Sequence, residues 1–266
     1  MHLTSLIEYL SGSKQYVQVQ RNSVTSVALT WFSVFAAGNI PAAGTLAIGN
    51  TANGVVPTDA TAGYPVIAAF SGSNSGSITG LEWGNTNGVH MILYDRLFAA
   101  GAYSFNSVVT LASQPSYVNR TPSGSGYHNT ELWVETVTAF TGNLTLKVDY
   151  LNENGASGST GIVVTGVAPT VARCFQLPLQ SGHDGVSQIN AVSSSTATIG
   201  TFNLMVLRRL WQNRANSSAT EGKEGILSMG CPQIFDNSAL YSLVKSDNTS
   251  TGTLSYIMEI TQCSNT

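Results

Sequence analysis

Two stretches decide the fold: SGSNSGSITGLEWGNTNGVHMILYDRL (71–97) and SGHDGVSQINAVSSSTATIGTFNLMVLRRL (181–210). Both open with Ser-Gly and run through weakly polar sequence to a glycine (Gly88, Gly200). Both then end in an apolar strand closed by Arg-Leu (Arg96-Leu97, Arg209-Leu210). Downstream, ELWVETVTAFTGNLTLKVDY (131–150) lines up with ALYSLVKSDNTSTGTLSYIMEI (239–260), pivoting on Thr141-Gly142 and Thr251-Gly252. Upstream, AGYPVIAAFSG (62–72) faces ARCFQLPLQSG (172–182). The anchors stay 110 (Thr141 to Thr251) to 113 (Arg96 to Arg209) residues apart. A repeat of this length predicts two similar domains rather than a short-period solenoid.

Each copy reads as β structure. The 26 glycines, with abundant Ser, Thr and Val, favour strands and turns. Residues 131–138 and 143–150 alternate apolar and polar side chains, as half-buried strands do, and Thr141-Gly142-Asn143 between them reads as a hairpin. Residues 27–35 read as a buried strand. Helical periodicity is convincing only near the start, where Leu6, Ile7, Tyr9 and Leu10 form an apolar side before Gly12. So short a helix is unstable alone and must dock. The expected fold is all-β: two tandem antiparallel β-sandwich or jelly-roll-like domains, preceded by a short N-terminal helix and arm. The arm is expected over 1–44 and the domains over 45–150 and 151–266, with the boundary near 151–159.

The charge content sets the surface chemistry. Charged residues are 9% of the chain, against roughly 25% in ordinary soluble domains. Spread over the ~11,000 Å² expected for this mass, that is one charge per roughly 440 Å², too few to keep a lone protein well dispersed. Permanent assembly is the expected remedy, because Ser, Thr, Asn and Gln hydrogen-bond across an interface without the desolvation cost of a buried charge. A net charge of −3, with no basic cluster beyond Arg208-Arg209, gives no footprint for nucleic acid. No apolar run reaches eighteen residues, so no membrane span is expected. Without a basic region leading into an apolar run at the start, synthesis in a cytosol is expected. Cys174, Cys231 and Cys263 are odd in number and widely spaced, against a disulfide framework or a zinc site.

The candidate sites lean structural. His183-Asp184 are neighbours, and adjacent strand residues point to opposite faces, so a turn is expected there rather than catalysis. Glu131 and Glu135 share a strand face. A glycosidase pair would need such spacing, but so does a solvated face paired with Lys147 and Asp149. The dispersed histidines support no metal, and no cofactor is expected. Arg96 and Arg209 sit at equivalent places, where a planar guanidinium closing a strand can lock a carboxylate of another strand or subunit. Asp95 breaks the equivalence, since Arg208 stands opposite it in the other copy. Residues 99–127 read as a long loop whose Tyr103, Tyr117 and Tyr127 are structural or interface anchors, or a glycan-stacking surface. Leu3, Leu6, Ile7, Tyr9 and Leu10 form the expected docking arm.

Taken together, ILYDRL (92–97), ELWVETVTAFTGNLTLKVDYLNENGASG (131–158), FQLPLQSGHDGV (175–186) and the Leu-Arg-Arg-Leu strand resemble auxiliary capsid proteins of tailed bacteriophages, of the decoration or cement type. The resemblance covers roughly 92–260 and is least at the N-terminus. It implies a non-enzymatic virion protein made in the host bacterial cytoplasm and seated on the major capsid protein or other virion proteins. It carries over no catalytic residue. A homo-oligomer follows, and two lobes per subunit make a trimer the geometric match to a quasi-hexagonal lattice. The competing reading is a phage tail, neck or fibre component binding host glycan through the loop aromatics. A third is a carbohydrate-active enzyme using Glu135.

Overall fold

A computed structural model describes residues 6–71, 75–122, 125–195, 199–215 and 220–262. After α1 (Leu6–Ser11), the first half of the chain forms β1 (Lys14–Arg21), β2 (Trp31–Ser33), β3 (Asn39–Ile40), β4 (Asn50–Val55), β5 (Ser75–Asn85), β6 (Val89–Ser104), β7 (Val108–Thr110), β8 (Thr130–Thr138) and β9 (Thr145–Asn152). The second half forms β10 (Ser157–Ser159), β11 (Val163–Val164), β12 (Arg173–Gln176), β13 (Val186–Ser195), β14 (Thr201–Ala215) and β15 (Thr220–Glu224). It ends with α2 (Ile226–Met229), β16 (Gln233–Phe235), β17 (Leu240–Ser246) and β18 (Leu254–Gln262). The fold is all-β with a short N-terminal helix, as the composition requires. The period of two is plain in β9, where Leu146, Val148, Tyr150 and Asn152 are buried and the residues between them are not.

Six strands close into an antiparallel barrel in the order β14-β8-β12-β2-β17-β6, sealed by pairing of β6 with β14. Closure removes the exposed edges that a six-stranded open sheet would present. Inside the barrel lie Phe32, Ile92, Tyr94, Trp133, Cys174, Met205, Leu207, Tyr241 and Leu243. A sheet ordered β15-β5-β18-β1-β3, with β16 beside β5, covers one flank. It encloses a core of Ile78, Leu81, Met258 and Ile260 against Met91, Leu93 and Trp211 of the barrel. A second sheet, β10-β9-β13-β7 with β11 beside β9, covers another flank. There Val148, Tyr150, Ile189 and Val192 meet Phe98, Leu132, Val134, Leu204 and Val206. Two opposite faces of β6 and β14 therefore feed different cores, which is why these long strands are buried almost throughout.

The duplication is written into this topology in an interlaced form. β1, β2, β5, β6, β7, β8 and β9 recur, in order, as the β10/β11 pair, β12, β13, β14, β15, β17 and β18. The ladders obey the same exchange: β8–β14 matches β17–β6, β9–β13 matches β18–β5, and β7–β13 matches β15–β5. Among these strands, each ladder joins a strand of one copy to a strand of the other. The β6–β14 ladder repeats about its own midpoint. Arg209 faces Tyr94 where Leu207 faces Arg96, and Trp211 faces Leu93 where Val206 faces Phe98. Leu97 and Leu210, equivalent in sequence, are both skipped by this register, so the two bulges correspond.

The ladders correct several expectations. They do not divide near 151–159, so 45–150 and 151–266 are not separate sandwiches: neither half holds the partners its strands need. The 1–44 segment is not an arm beyond its helix, because β1 pairs with β18, and β2 closes the barrel between β12 and β17. β8 and β9 form no hairpin; β8 lies between β14 and β12, and β9 pairs with β13. The expected buried strand at 27–35 shortens to β2. The match of 62–72 to 172–182 also fails. Phe32 and Trp31 pair with Arg173 and Cys174 about the same symmetry, so β2 is the counterpart of β12. The first copy carries the extra segment, holding β3 and β4, between β2 and β5.

Candidate functional site

Three features stand out: a charged cluster sealed inside the molecule, a cleft with an ionisable rim, and an exposed apolar face.

The sealed cluster centres on Asp95, which is fully buried. Its carboxylate accepts hydrogen bonds from Arg120 Nη2, Arg208 Nη2 (3.3 Å), Ser238 Oγ (2.8 Å) and the Ala239 amide (3.0 Å). Burial alone would push the Asp95 carboxyl up, but the Arg120 and Arg208 guanidiniums outweigh it and hold the group below the usual carboxylate range. Next to it, Arg96 is buried with Glu135: Arg96 Nη2 donates to Glu135 Oε2 at 3.3 Å and Nη1 donates to the Tyr64 hydroxyl at 3.3 Å. Tyr241 (2.6 Å) and Asn203 (3.0 Å) donate to the same carboxylate. The Arg96 guanidinium also lies 5.1 Å from the centre of the Tyr241 ring. Buried charges persist only when paired in this way, although the Nε atoms of Arg96, Arg120 and Arg208 are buried without a hydrogen-bond partner.

Glu131 lies further along the same barrel interior and is only partly exposed. It accepts from Arg209 Nε (2.9 Å), Tyr94 (2.9 Å) and Trp133 (2.8 Å). Glu131 and Glu135 are therefore each consumed by an arginine, and the ion pair with Lys147 and Asp149 does not form. Those two residues, on β9, bind one another at 2.9 Å. Arg96 and Arg209 each bind a carboxylate of β8, Arg96 buried inside the barrel and Arg209 exposed to solvent.

The cleft has a volume of ≈ 1210 Å³. Arg208, Arg209, Glu131 and Gln176 line it from the barrel strands, Leu179 from the segment after β12, and His128, His183 and Asp184 from the loops. His183 and Asp184 diverge, as a turn dictates: His183 meets the Tyr150 hydroxyl (3.1 Å), while Asp184 meets His128 Nδ1 (2.8 Å). The hydrogen bond that His128 donates to the Asp184 carboxylate raises the His128 pKa above its ordinary value, helped by the charges of Asp184 and Glu153. Sequence reasoning missed this trio, because His128 and Asp184 are 56 residues apart and an isolated β-bridge between His128 and Gly185 brings them together.

The loop tyrosines are mostly core. β6 runs on to Ser104, so Tyr103 is a strand residue packed on Phe202. Tyr117 is buried under Phe98 and Tyr127 and donates to Val186 O at 2.5 Å. Tyr127 is half-buried and meets Ser116. No stacking platform for sugar is left among these three.

The apolar face belongs to α1 and α2. Leu6, Ile7 and Leu10 are 62%, 77% and 70% exposed, and Leu227 on α2 is 98% exposed. Tyr9 turns the other way: its ring takes the Lys14 ammonium at 3.7 Å and packs with Ile226 on Cys231. Tyr9, Tyr16, Ile226 and Ile257 line a depression of ≈ 280 Å³ on the outer side of the β5–β18–β1 sheet. Leu3 lies outside the described residues. Cys174 and Cys231 are buried thiols, not disulfide partners. No described helix is long and apolar enough to cross a membrane.

No family model matches the chain, and no curated protein matches it in sequence. Among solved structures, infectious bursal disease virus of the Gx strain aligns over 96% of this chain and 81% of that one, at 7% identity and a TM-score of 0.20. The T=1 particles derived from infectious bursal virus align over 96% and 79%, at 8% identity and a TM-score of 0.20. Superpositions this loose carry no argument about function, which rests on the residues above.

Proposed function

We propose that this chain is a non-enzymatic structural protein of a virion, seated on the capsid of a tailed phage as a decoration or cement protein. The observation that carries the reading is the apolar face of α1. A helix of six residues has no stability of its own. Tyr9 anchors it to the body while Leu6, Ile7 and Leu10 are held out in water. The arrangement is favourable only when another polypeptide covers those residues, and covering an apolar side chain contributes about 1.5–3 kcal/mol. The occupant is a neighbouring virion polypeptide with an apolar, weakly charged surface.

The charge distribution supports the same reading. Seven of the 25 formal charges are buried (Arg21, Asp59, Asp95, Arg96, Arg120, Glu135, Arg208), leaving at most 18 for 10852 Å² of surface. The exterior is more neutral than composition alone implied, and a neutral exterior favours lattice contacts over dispersion. A homo-oligomer on the lattice remains part of the proposal. The trimer of six lobes loses its geometric basis, because the two copies make one interlaced body.

No observation favours the glycan-binding tail, neck or fibre reading once Tyr103 and Tyr117 are in the core. The Glu135 enzyme reading has its carboxylate sealed beside Arg96. Labelling purified virions with antibody against this chain, viewed by negative stain, tests the proposal. Label over the head supports it; label confined to the tail, or none, overturns it.

A further inference from the structure

We infer that His128, Glu153 and Asp184 form a binding site for a divalent transition cation, with Zn²⁺ the best match. The three side chains come from separate segments: the stretch before β8, the turn after β9 and the loop before β13. Each offers one ligand atom, and the three atoms lie within 4.8 Å of one another. One imidazole nitrogen with two carboxylates suits zinc; an all-oxygen set would suit calcium.

The spacing fits. Zinc–ligand bonds of about 2.0–2.2 Å hold tetrahedral ligand atoms about 3.3 Å apart. His128 Nδ1 and the Asp184 oxygens are now 2.8 and 3.0 Å apart, slightly closer than that, while the whole set spans up to 4.8 Å. Binding therefore requires the side chains to rotate and close the wider separation.

The supports are already placed. The β-bridge between His128 and Gly185 fixes two of the segments. Glu153 Oε2 accepts from the Asp184 amide at 3.2 Å, and its Oε1 accepts from Asn154 Nδ2 at 2.8 Å. Asn152 pins the turn, its Oδ1 accepting from the Asn154 and Ala156 amides. Hydrogen bonds to ligating carboxylates of this kind orient metal ligands. His128 and Asp184 both line the large cleft, so a cation held there would be open to it. The cation would tie segments of both copies together. The inference is independent of the virion role.

Calorimetric titration of the full, chelator-treated chain with ZnCl₂ tests it. The expected result is one saturable equivalent with a rise in melting temperature. His128→Ala and Asp184→Asn are each expected to weaken binding at least tenfold, and Glu153→Gln, on an exposed turn that the fold tolerates, to weaken it likewise. No saturable binding overturns the inference. So does binding unchanged in Glu153→Gln and His128→Ala, which places the zinc elsewhere, or CaCl₂ binding as tightly as ZnCl₂, which removes the imidazole from the ligand set.

Discussion

Asp95 and Arg208 hold the same position in the two copies of the repeat, 113 residues apart, and bind each other: Arg208 Nη2 donates to Asp95 Oδ2 at 3.3 Å. They face one another in the β6–β14 ladder at the point about which the other pairs exchange. A residue on such an axis meets its own counterpart. Two arginines there, or two aspartates, would bury like charges side by side. Asp against Arg is the substitution that makes the axis tolerable.

This relationship sets an order among variants. Asp95→Asn leaves Arg120 and Arg208 buried without their anion, and is expected to cost about 3–5 kcal/mol. Arg208→Met leaves Asp95 still bound by Arg120, Ser238 and the Ala239 amide, and is expected to cost clearly less. Urea melts of both variants check the ranking. Equal losses would show that Arg208, not Arg120, carries the anion.

The interlaced ladders predict how the chain behaves when divided. Residues 1–152 and 153–266, made separately, are each expected to lack a cooperative melt, since all but the short β1–β3 and β4–β6 ladders join one half to the other. Co-expressed, they are expected to associate and regain the β spectrum of the intact chain. A well-dispersed amide NMR spectrum from either half alone would restore the tandem-domain reading.

The histidines give opposite pH signatures. His128 is raised by its hydrogen bond to Asp184, so its contribution to stability is full below the unfolded pKa and fades as pH rises through the folded value. His90 is lowered, by burial first and then by the charges of Lys245, Arg214 and Arg209. Its contribution is therefore present above the unfolded pKa and fades as pH falls through the folded value. Imidazole proton shifts in an NMR titration are expected to place His128 above 6.5 and His90 below it. Asp184→Asn is expected to bring His128 back towards the ordinary value and leave His90 alone.

Tyr117 separates core from recognition. Tyr117→Phe removes the hydroxyl that donates to Val186 O and is expected to cost about 1 kcal/mol in a thermal melt. A glycan array is expected to stay blank for wild type and variant alike. A glycan signal lost in the variant would reinstate the sugar surface.

Much of this was legible in the chain. Alternation gave the strands, the 110-to-113 offset gave the repeat, and the mismatch of Asp95 with Arg208 was visible beside the matched Arg96 and Arg209. The pairing partners were not legible, because local periodicity says which face is buried and nothing about which distant strand supplies the ladder. The same limit hid the counterpart of β12: the first copy's extra segment displaced β2 from the expected offset, and Phe32 shares no residue type with Cys174. Tyr103 was misread because Gly101 and Ser104 look like loop sequence, whereas β6 continues through them against β14. The His128–Asp184 contact depends on a bridge between residues far apart in the chain, which no motif spacing reports.

The docking face carries the functional account, and co-sedimentation with capsids assembled without this protein measures it most directly. Wild-type protein is expected to pellet with the particles, while a Leu6→Asp, Ile7→Asp, Leu10→Asp variant, folded by circular dichroism, stays in the supernatant. A wild-type chain that never pellets, or a triple variant that pellets equally well, would contradict it.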